Sequence, residues 1–323
     1  MSQLMDVAGL DFPCMDCLIH LSHLPEPNES MRVMENSWQS GGKVSTALAA
    51  LGRLGAKAAI LGSVCGDHWG RFCKEDLEFH GVDTTRLRVT EGRMGLNYVL
   101  SDDVSQGRNI LYSGSKRPPY FLEEADCELI RSVKILHLCS YGENQMKAAR
   151  IAKEAGVLVS YDGDGYNDQV VEALPYLDAF VGSEFFYREY FGCAGTNPKE
   201  VEENCRRLRE KGPSIVGFTF GGRGSVALDG TGFYTAIPPK VKVVDTVGAG
   251  DTYHGAFVYG LLQNWPLPRI LEFATTVASL KCQYIGGRAG LPTLPMVEKF
   301  MATGELTEGD IPSRLERYRE GGF

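Results

Sequence analysis

The chain has 323 residues, of which 43% are hydrophobic and 23% charged, as in an ordinary soluble globular protein. With 33 basic and 41 acidic side chains its net charge is −8, which disfavours nucleic acid or an anionic membrane surface as a partner. Without a signal-peptide pattern or an apolar run near a membrane span of about 20 residues, and with nine cysteines that suit a reducing compartment, we expect a cytoplasmic protein.

The first third of the chain predicts a small β-sheet beside a larger domain. Its short segments alternate apolar and polar residues, as strands with one buried face do. We expect these strands to form a lid built from two stretches, residues 12–38 and 94–113. Between them, residues 41–55 begin with Gly41 and Gly42 and end with Gly55, which is typical of a glycine turn that enters a helix.

From about residue 130 the pattern changes to strands that alternate with helices. Apolar runs at 134–139, 157–161, 179–182 and 214–219 predict strands. Apolar strands joined by helices form a parallel sheet that is covered on both faces. We therefore predict a single α/β domain over residues 1–323, with a mostly parallel central sheet and the small sheet as its lid.

Residues 243–260 are the most informative stretch. Val243 and Val244 predict the end of a strand, Gly248-Ala249-Gly250 a tight turn, and Asp251 the first turn of a helix. A helix N-terminus attracts anions, and glycine lets the backbone approach them closely. A carboxylate beside such a site could accept the proton of a hydroxyl that attacks phosphorus. The plainer interpretation is that Asp251 only caps the helix.

Two motifs in this chain resemble those of the PfkB/ribokinase family of sugar and nucleoside kinases. Residues 245–251 match its D-T-x-G-A-G-D signature, and residues 41–55 are similar to its G-G-x-x-x-N-x-A-x-x-L-x-x-L-G signature. The resemblance extends from Gly9 to Pro292. It implies a ribokinase-like three-layer α/β/α fold and transfer of the γ-phosphoryl group of ATP to a hydroxyl of a sugar or sugar acid. Asp251 would be the general base, and the N–H groups of Gly248, Ala249 and Gly250 the anion hole.

The resemblance also assigns a substrate pocket. Asp16 matches the family's early substrate-binding aspartate, with Asp11 as a rival. The other candidates are Gly42, Lys43, Thr46 and Arg108. Thr46 replaces the usual asparagine, so the pocket should differ from that of ribokinase. Lys43 and Arg108 would favour a substrate with a carboxylate, phosphate or sulfonate group.

For ATP, the resemblance points to Thr219, Gly221 and Gly224 in a T-x-G-x-x-G turn, and to Thr275, Ala278 and Gly286 around the adenine. The family's N-x-x-E motif, which supports Mg²⁺ and the phosphates, is altered. Ser183 stands at its Asn and Phe186 at its Glu, so that Glu184, Glu189, Asp162 or Asp164 would have to compensate. Asp245 and Val247 fall where many members bind K⁺.

The sequence leaves two alternative functions open and also predicts an oligomeric state. The chain could be a non-catalytic ribokinase-like binding or scaffold protein, or a nucleoside kinase. The lid should mediate a homodimer, because open strand edges and apolar faces would otherwise be exposed to water. The apolar residues in question are Leu18, Leu21, Val33 and Trp38.

Overall fold

The structure is a computed structural model that describes residues 4–104 and 108–319, with the backbone alone at position 108. The strands in this part of the chain are β1 (Val7–Asp11), β2 (Met15–Leu21), β3 (Glu35–Ser40), β4 (Ala58–Cys65), β5 (Val82–Asp83), β6 (Leu87–Thr90), β7 (Leu96–Asp102), β8 (Arg108–Tyr112), β9 (Ile135–Leu138), β10 (Leu158–Gly163), β11 (Ala179–Ser183), β12 (Ile215–Thr219), β13 (Ser225–Leu228) and β14 (Phe233–Ala236). The helices are α1 (Lys43–Arg53), α2 (His68–Phe79), α3 (Glu124–Ser132), α4 (Glu143–Glu154), α5 (Asp168–Ala173), α6 (Glu184–Phe191), α7 (Pro198–Arg209), α8 (Ala249–Leu262), α9 (Leu267–Lys281), α10 (Leu294–Thr303) and α11 (Ile311–Arg319).

The larger sheet has the strand order β14-β13-β12-β11-β10-β9-β1-β4-β5, and β6 also pairs with β4. All its pairings are parallel except β12–β13 and β13–β14. The carboxyl ends of the parallel strands share one edge of the sheet, which is where open α/β sheets bind ligands. The strand–helix alternation predicted from the sequence is therefore confirmed.

Each buried strand supplies side chains to two cores, one on each face of the sheet. In β1, Val7 packs in a cluster with side chains of α1, α8 and α9, whereas Ala8 packs in a cluster with those of α3, α4 and α7. Ile135 and Leu136 divide in the same way. Alternation of period two explains this division and gives the three predicted layers. No helix among the described residues is long and apolar enough to cross a bilayer.

The second sheet has the order β3-β2-β7-β8 and is built from the predicted lid region, although β3 continues to Ser40. Of the four apolar residues that the sequence placed at an interface, Val33, in the loop before β3, is exposed as expected, but the other three are not. Leu18 and Leu21 are buried within the chain, Leu18 against Ile285, and Trp38 stacks on Trp69 with ring centroids 4.9 Å apart. The large apolar side chains that this sheet does expose are Tyr98, Ile110, Leu111 and Tyr112. The organisation of residues 1–323 as a single domain stays a prediction.

A buried polar network ties α11 to the loop that follows α9. Asp76 of α2 forms an ion pair with Arg288, with Nη1 and Oδ2 2.8 Å apart, and accepts a hydrogen bond of 2.6 Å from the hydroxyl of Tyr318. All three side chains are inaccessible to solvent. Gln39 of β3 holds the same loop, because its Oε1 accepts from the N–H groups of Arg288 and Ala289. The loop is thus fixed by both the lid and the C-terminal helix.

Candidate active site

The N-terminus of α8 lies where the sequence predicts an anion site. Gly248 is its N-cap residue with φ +73°, and a Cβ atom there would lie 2.6 Å from Cα of Gly287. Only glycine fits both the backbone conformation and this close approach. The prediction that a strand ends at Val243 and Val244 is wrong. Both are exposed and irregular, because the N–H of Val244 bonds the carbonyl of Cys282 at the end of α9 instead of a neighbouring strand.

Asp251 lies in the first turn of α8 and is half-buried. Burial raises the pKa of Asp251 well above its usual range, and the negative charges of Asp162, Asp164 and Asp11 add to this, while Lys43 opposes it. A carboxylate of raised pKa is a better proton acceptor once it is ionised. The environment of Asp251 therefore suits a general base better than a simple helix cap.

Lys43 and two aspartates place charge around Asp251. The Lys43 ammonium is 2.5 Å from Oδ2 of Asp164, and Oδ1 of Asp162 is 3.1 Å from Nε2 of His254. Although burial acts in the opposite direction, Asp162 and Asp164 raise the pKa of Lys43. Burial would raise the pKa of Asp162, but His254 and Lys43 hold it below its usual value. Lys43 is thus a cation at the mouth of the site, available to an anionic ligand that displaces Asp164.

The two early aspartates have different partners. Oδ2 of Asp11 accepts 2.7 Å hydrogen bonds from both the backbone N–H and the hydroxyl of Ser45, so this carboxylate stabilises the first turn of α1. Asp16 accepts a 2.8 Å hydrogen bond from Nδ2 of Asn97 and lies so close to Gly41 that a Cβ there would be 2.3 Å from Oδ2. Burial raises the pKa of Asp16. Of the two rivals, Asp16 remains the candidate for substrate hydroxyls.

The three remaining candidates for binding the substrate are Gly42, Thr46 and Arg108. Gly42 is the N-cap residue of α1 with φ +105°, next to Asp11. Thr46 is 2% exposed, and its side chain lies near Gly287. The side chain of Arg108 lies outside the described residues.

A cavity of about 510 Å³ lies beside the anion site. The predicted residues that line it are Thr219, Gly221, Gly224, Ala249, Gly250, Thr275 and Ala278. Val241, Tyr253 and Lys240 also line it but were not predicted from the sequence; they come from the irregular stretch before the motif and from α8. Apolar walls around a few backbone donors are typical of a small-molecule site. Ala249 and Gly250, which line the cavity, directly precede Asp251 in the chain.

Ser183 and Gly286 do not line this cavity. The hydroxyl of Ser183 caps α6, accepting from the N–H groups of Phe185 and Phe186 at 3.1 and 3.2 Å. Phe186, at the position of the family's glutamate, is fully buried in an aromatic cluster. Glu184 lies 3.4 Å from Arg223 and near Gly221, which lines the cavity.

The residues predicted to bind K⁺ are already satisfied by N–H donors. Asp245 accepts from the N–H of Val247 at 2.9 Å and from that of Gly286 at 2.7 Å. The ammonium of Lys281 donates to the backbone carbonyls of both Asp245 and Val247. The K⁺ site at Asp245 and Val247 stays a prediction, and in the structure the ammonium of Lys281 lies on the two carbonyls of these residues.

Comparison with known proteins agrees with this geometry. The model of the pfkB family carbohydrate kinases matches residues 12–294, which confirms the resemblance drawn from the two motifs. A nucleoside kinase of Methanothermobacter thermautotrophicus is 28% identical over 314 residues, covering 94% of this chain and 97% of the relative. An ATP-dependent ribose-1-phosphate kinase of Halopiger xanaduensis is 29% identical over 290 residues, covering 89% and 95%. A 5-dehydro-2-deoxygluconokinase of Clostridium beijerinckii is 27% identical over 295 residues, covering 85% and 87%.

Solved structures confirm the predicted ribokinase-like fold. A ribokinase of Arabidopsis thaliana, complexed with ribose and ATP, superposes with a TM-score of 0.82 at 22% identity, covering 93% of this chain and 99% of that one. A ribokinase of Giardia lamblia superposes with a TM-score of 0.80 at 16% identity, covering 94% and 100%.

Proposed function

The chain belongs to the pfkB family of carbohydrate kinases, and on that premise we propose that it transfers the γ-phosphoryl group of ATP to a hydroxyl of a sugar acid or other anionic sugar. One observation carries the proposal. Asp251 follows directly on Ala249 and Gly250, which line the nucleotide-sized cavity, and it lies among the charged residues at the carboxyl edge of the sheet. A phosphate in the cavity and a hydroxyl at this edge would meet at Asp251.

In the proposed mechanism, Asp251 accepts the proton of the attacking hydroxyl. The backbone N–H groups of Gly248 and Gly250, at the positive end of α8, stabilise the charge on the transferring phosphoryl group. The N–H of Ala249, expected in the same anion hole, instead donates to the carbonyl of Thr246. Asp16, fixed by Asn97, orients the acceptor through its other hydroxyls. Catalysis by positioning and charge is what phosphoryl transfer requires.

We expect Mg²⁺ to arrive with ATP, as part of the substrate. Among residues 4–104 and 108–319, no three His, Cys, Asp or Glu side chains are grouped as a metal cluster, so phosphate oxygens and water would supply most ligands. Glu184 is the side chain we assign to the water shell of the ion, because it lies near Gly221, which lines the cavity. All nine cysteines are free thiols, which supports a reducing, cytoplasmic location.

The preference for an anionic acceptor rests on Lys43. Its ammonium is charged and bound to a half-exposed aspartate, from which a carboxylate or phosphate of the substrate could take it over. The similarity to kinases of ribose 1-phosphate and of 5-dehydro-2-deoxygluconate supports the same preference. A nucleoside acceptor is the second candidate, favoured by the similarity to a nucleoside kinase. A non-catalytic scaffold is disfavoured, because it would not need Asp251 and the glycine turn together.

A panel of acceptors tests the proposal. ADP release is measured with ribose, ribose 1-phosphate, 5-dehydro-2-deoxygluconate and nucleosides under identical conditions. We expect an anionic sugar to give the highest kcat/KM. Lys43→Met should raise its KM by about tenfold or more, since a hydrogen bond to a charged group contributes about 1.5–3 kcal/mol. The KM of neutral ribose should change little. Ribose or a nucleoside as the best acceptor would refute the anionic preference.

We also propose that the lid sheet forms a homodimer interface. The support is the exposed apolar side chains of β7 and β8, where Ile110 and Leu111 are each at least half-exposed and Tyr112 is 81% exposed. Large exposed apolar side chains of this kind are typical of an interaction site. Sedimentation should give the dimer mass, and Leu111→Glu with Tyr112→Glu should give the monomer. A wild-type monomer at micromolar concentration would refute the proposal.

A further inference from the structure

A buried lysine donates hydrogen bonds to backbone carbonyls of the turn that leads into α8. Lys281 is the last residue of α9, and none of its surface is exposed. Its ammonium lies 3.1 Å from the carbonyl oxygen of Asp245 and also donates to the carbonyl of Val247. A buried ammonium is stable only where polar atoms replace its water, and these oxygens do so.

Fixing these two carbonyls also fixes two N–H groups of the active site. A trans peptide unit is planar, and its C=O and N–H bonds point in opposite directions. The carbonyl of Val247 shares its peptide with the N–H of Gly248, which begins the proposed anion hole. The carbonyl of Asp245 shares its peptide with the N–H of Thr246, a residue that lines the nucleotide cavity. With both carbonyls on Lys281, the two N–H groups point to the opposite side.

Within the described residues, the carbonyl and carboxylate oxygens of Asp245 and the carbonyl oxygen of Val247 each accept a hydrogen bond from an N–H group. The two carboxylate oxygens of Asp245 accept from backbone N–H groups, and the two carbonyls accept from Lys281. A monovalent cation bound to the same oxygens would displace the ammonium into a site where no water can solvate it.

We propose that Lys281 is a built-in monovalent cation, so that this enzyme orients its anion hole without K⁺. The lysine supplies one positive charge at fixed stoichiometry, whereas an exchangeable ion acts only as far as its concentration saturates the site. Lys281 is a positioning residue, because it reaches the reacting phosphate only through the turn 245–248. The inference rests on the proposed kinase activity and adds what holds its anion site in place.

The wild-type enzyme gives the first test. Its kcat with the acceptor found in the panel, and its affinity for ADP by calorimetry, are measured while N-methylglucamine chloride is replaced by KCl at constant ionic strength. We expect both to stay constant within error. A rise of either with K⁺ overturns the proposal. If no acceptor is phosphorylated, the proposed function fails, and the ADP affinities with and without K⁺ still decide the role of Lys281.

Variants give the second test. Lys281→Ala should lower kcat by about 10²-fold, the lower end of the ~10²–10³ range found when an oxyanion-hole donor is lost. Added n-propylammonium, which matches the deleted part of the side chain, should restore part of kcat, whereas neutral 1-propanol should not. Lys281→Met fills the space without charge and should not be rescued. Lys299→Met, on the exposed surface of α10, is the matched control and should keep wild-type kcat.

A purely structural role would not give rescue that depends on the charge of the added amine. Equal kcat for Lys281→Met and wild type in K⁺-free buffer overturns the proposal. Thermal melts accompany each variant, and if Lys281→Ala does not fold, the K⁺ titration of the wild-type enzyme decides alone.

Discussion

Replacing Asp251 with Asn should lower kcat but raise the stability of the protein at high pH. Burial raises the pKa of the Asp251 carboxylate, which favours proton transfer, but it also disfavours the charged form and so costs stability. The Asn side chain has nearly the same shape, so the first turn of α8 and the backbone anion hole should persist. An amide cannot accept the hydroxyl proton as a carboxylate does. General-base catalysis contributes about 10²–10⁴ in rate, so kcat should fall by that factor. At 1.36 kcal/mol per tenfold, the activation free energy rises by about 3–5 kcal/mol.

The effect on stability has the opposite sign. The pKa of Asp251 is higher in the folded chain than in the unfolded one. Between these two pKa values the folded state binds more protons, so stability falls as pH rises through that window and stays reduced above it. Asp251→Asn removes the ionisation. Its midpoint of thermal unfolding should therefore lie above that of the wild type at high pH, and the two should converge below the unfolded-state pKa.

The assay measures kcat, calorimetric affinities for ATP and acceptor, and thermal unfolding across pH. In the wild type, log(kcat/KM) should rise with pH through the raised pKa of Asp251 and then level off, and this limb should vanish in Asp251→Asn. Asp103→Asn, a 60% exposed aspartate side chain of the lid, is the control and should change neither property. A fall in kcat of less than about tenfold refutes the assignment of a general base. Loss of affinity together with kcat would assign Asp251 to binding.

Two further substitutions test the framework of the site. Gly248→Ala places a Cβ 2.6 Å from a neighbouring Cα at positive φ and should cost about 1–3 kcal/mol in urea unfolding, whereas Gly250→Ala meets nothing within 4 Å and should cost less; equal costs would show that the close approach is absent. Asp76→Asn leaves the buried guanidinium of Arg288 without its counter-charge and should cost about 3–5 kcal/mol, against about 1 kcal/mol or less for Glu124→Gln in an exposed ion pair. Similar values for the two would refute a role of the buried pair in holding the loop.

Features set by local pattern were predictable from the sequence. Period-two alternation and the helices between strands gave the three layers, and the glycine turn before Asp251 gave the anion site, because both depend on residues close together in the chain. The strand at Val243 was wrong for a related reason. Two valines favour a strand locally, but the carbonyl of Cys282 at the end of α9 accepts from the N–H of Val244.

Contacts between distant residues were not predictable in the same way. Asn97 reaches Asp16 only because β2 and β7 pair in parallel in one register, which no local pattern specifies. The resemblance linked Asp245 and Val247 to a cation, but only the direction of the Lys281 side chain reveals that its ammonium lies on their carbonyls. Leu18 was expected at a dimer interface, but in the structure it is buried against Ile285. Ile285 lies far along the chain, so the local pattern around Leu18 could not identify it as a partner.

The hydroxyl of Tyr318, five residues from the end of the chain, has a practical consequence for protein engineering. The family match ends at residue 294, and a fragment cut there would retain both signature motifs. It would nevertheless lose the partner of Asp76 and the helix that packs beneath Arg288, whose loop also bonds Asp245 through Gly286. Minimal versions of this kinase designed from motif boundaries should therefore be inactive.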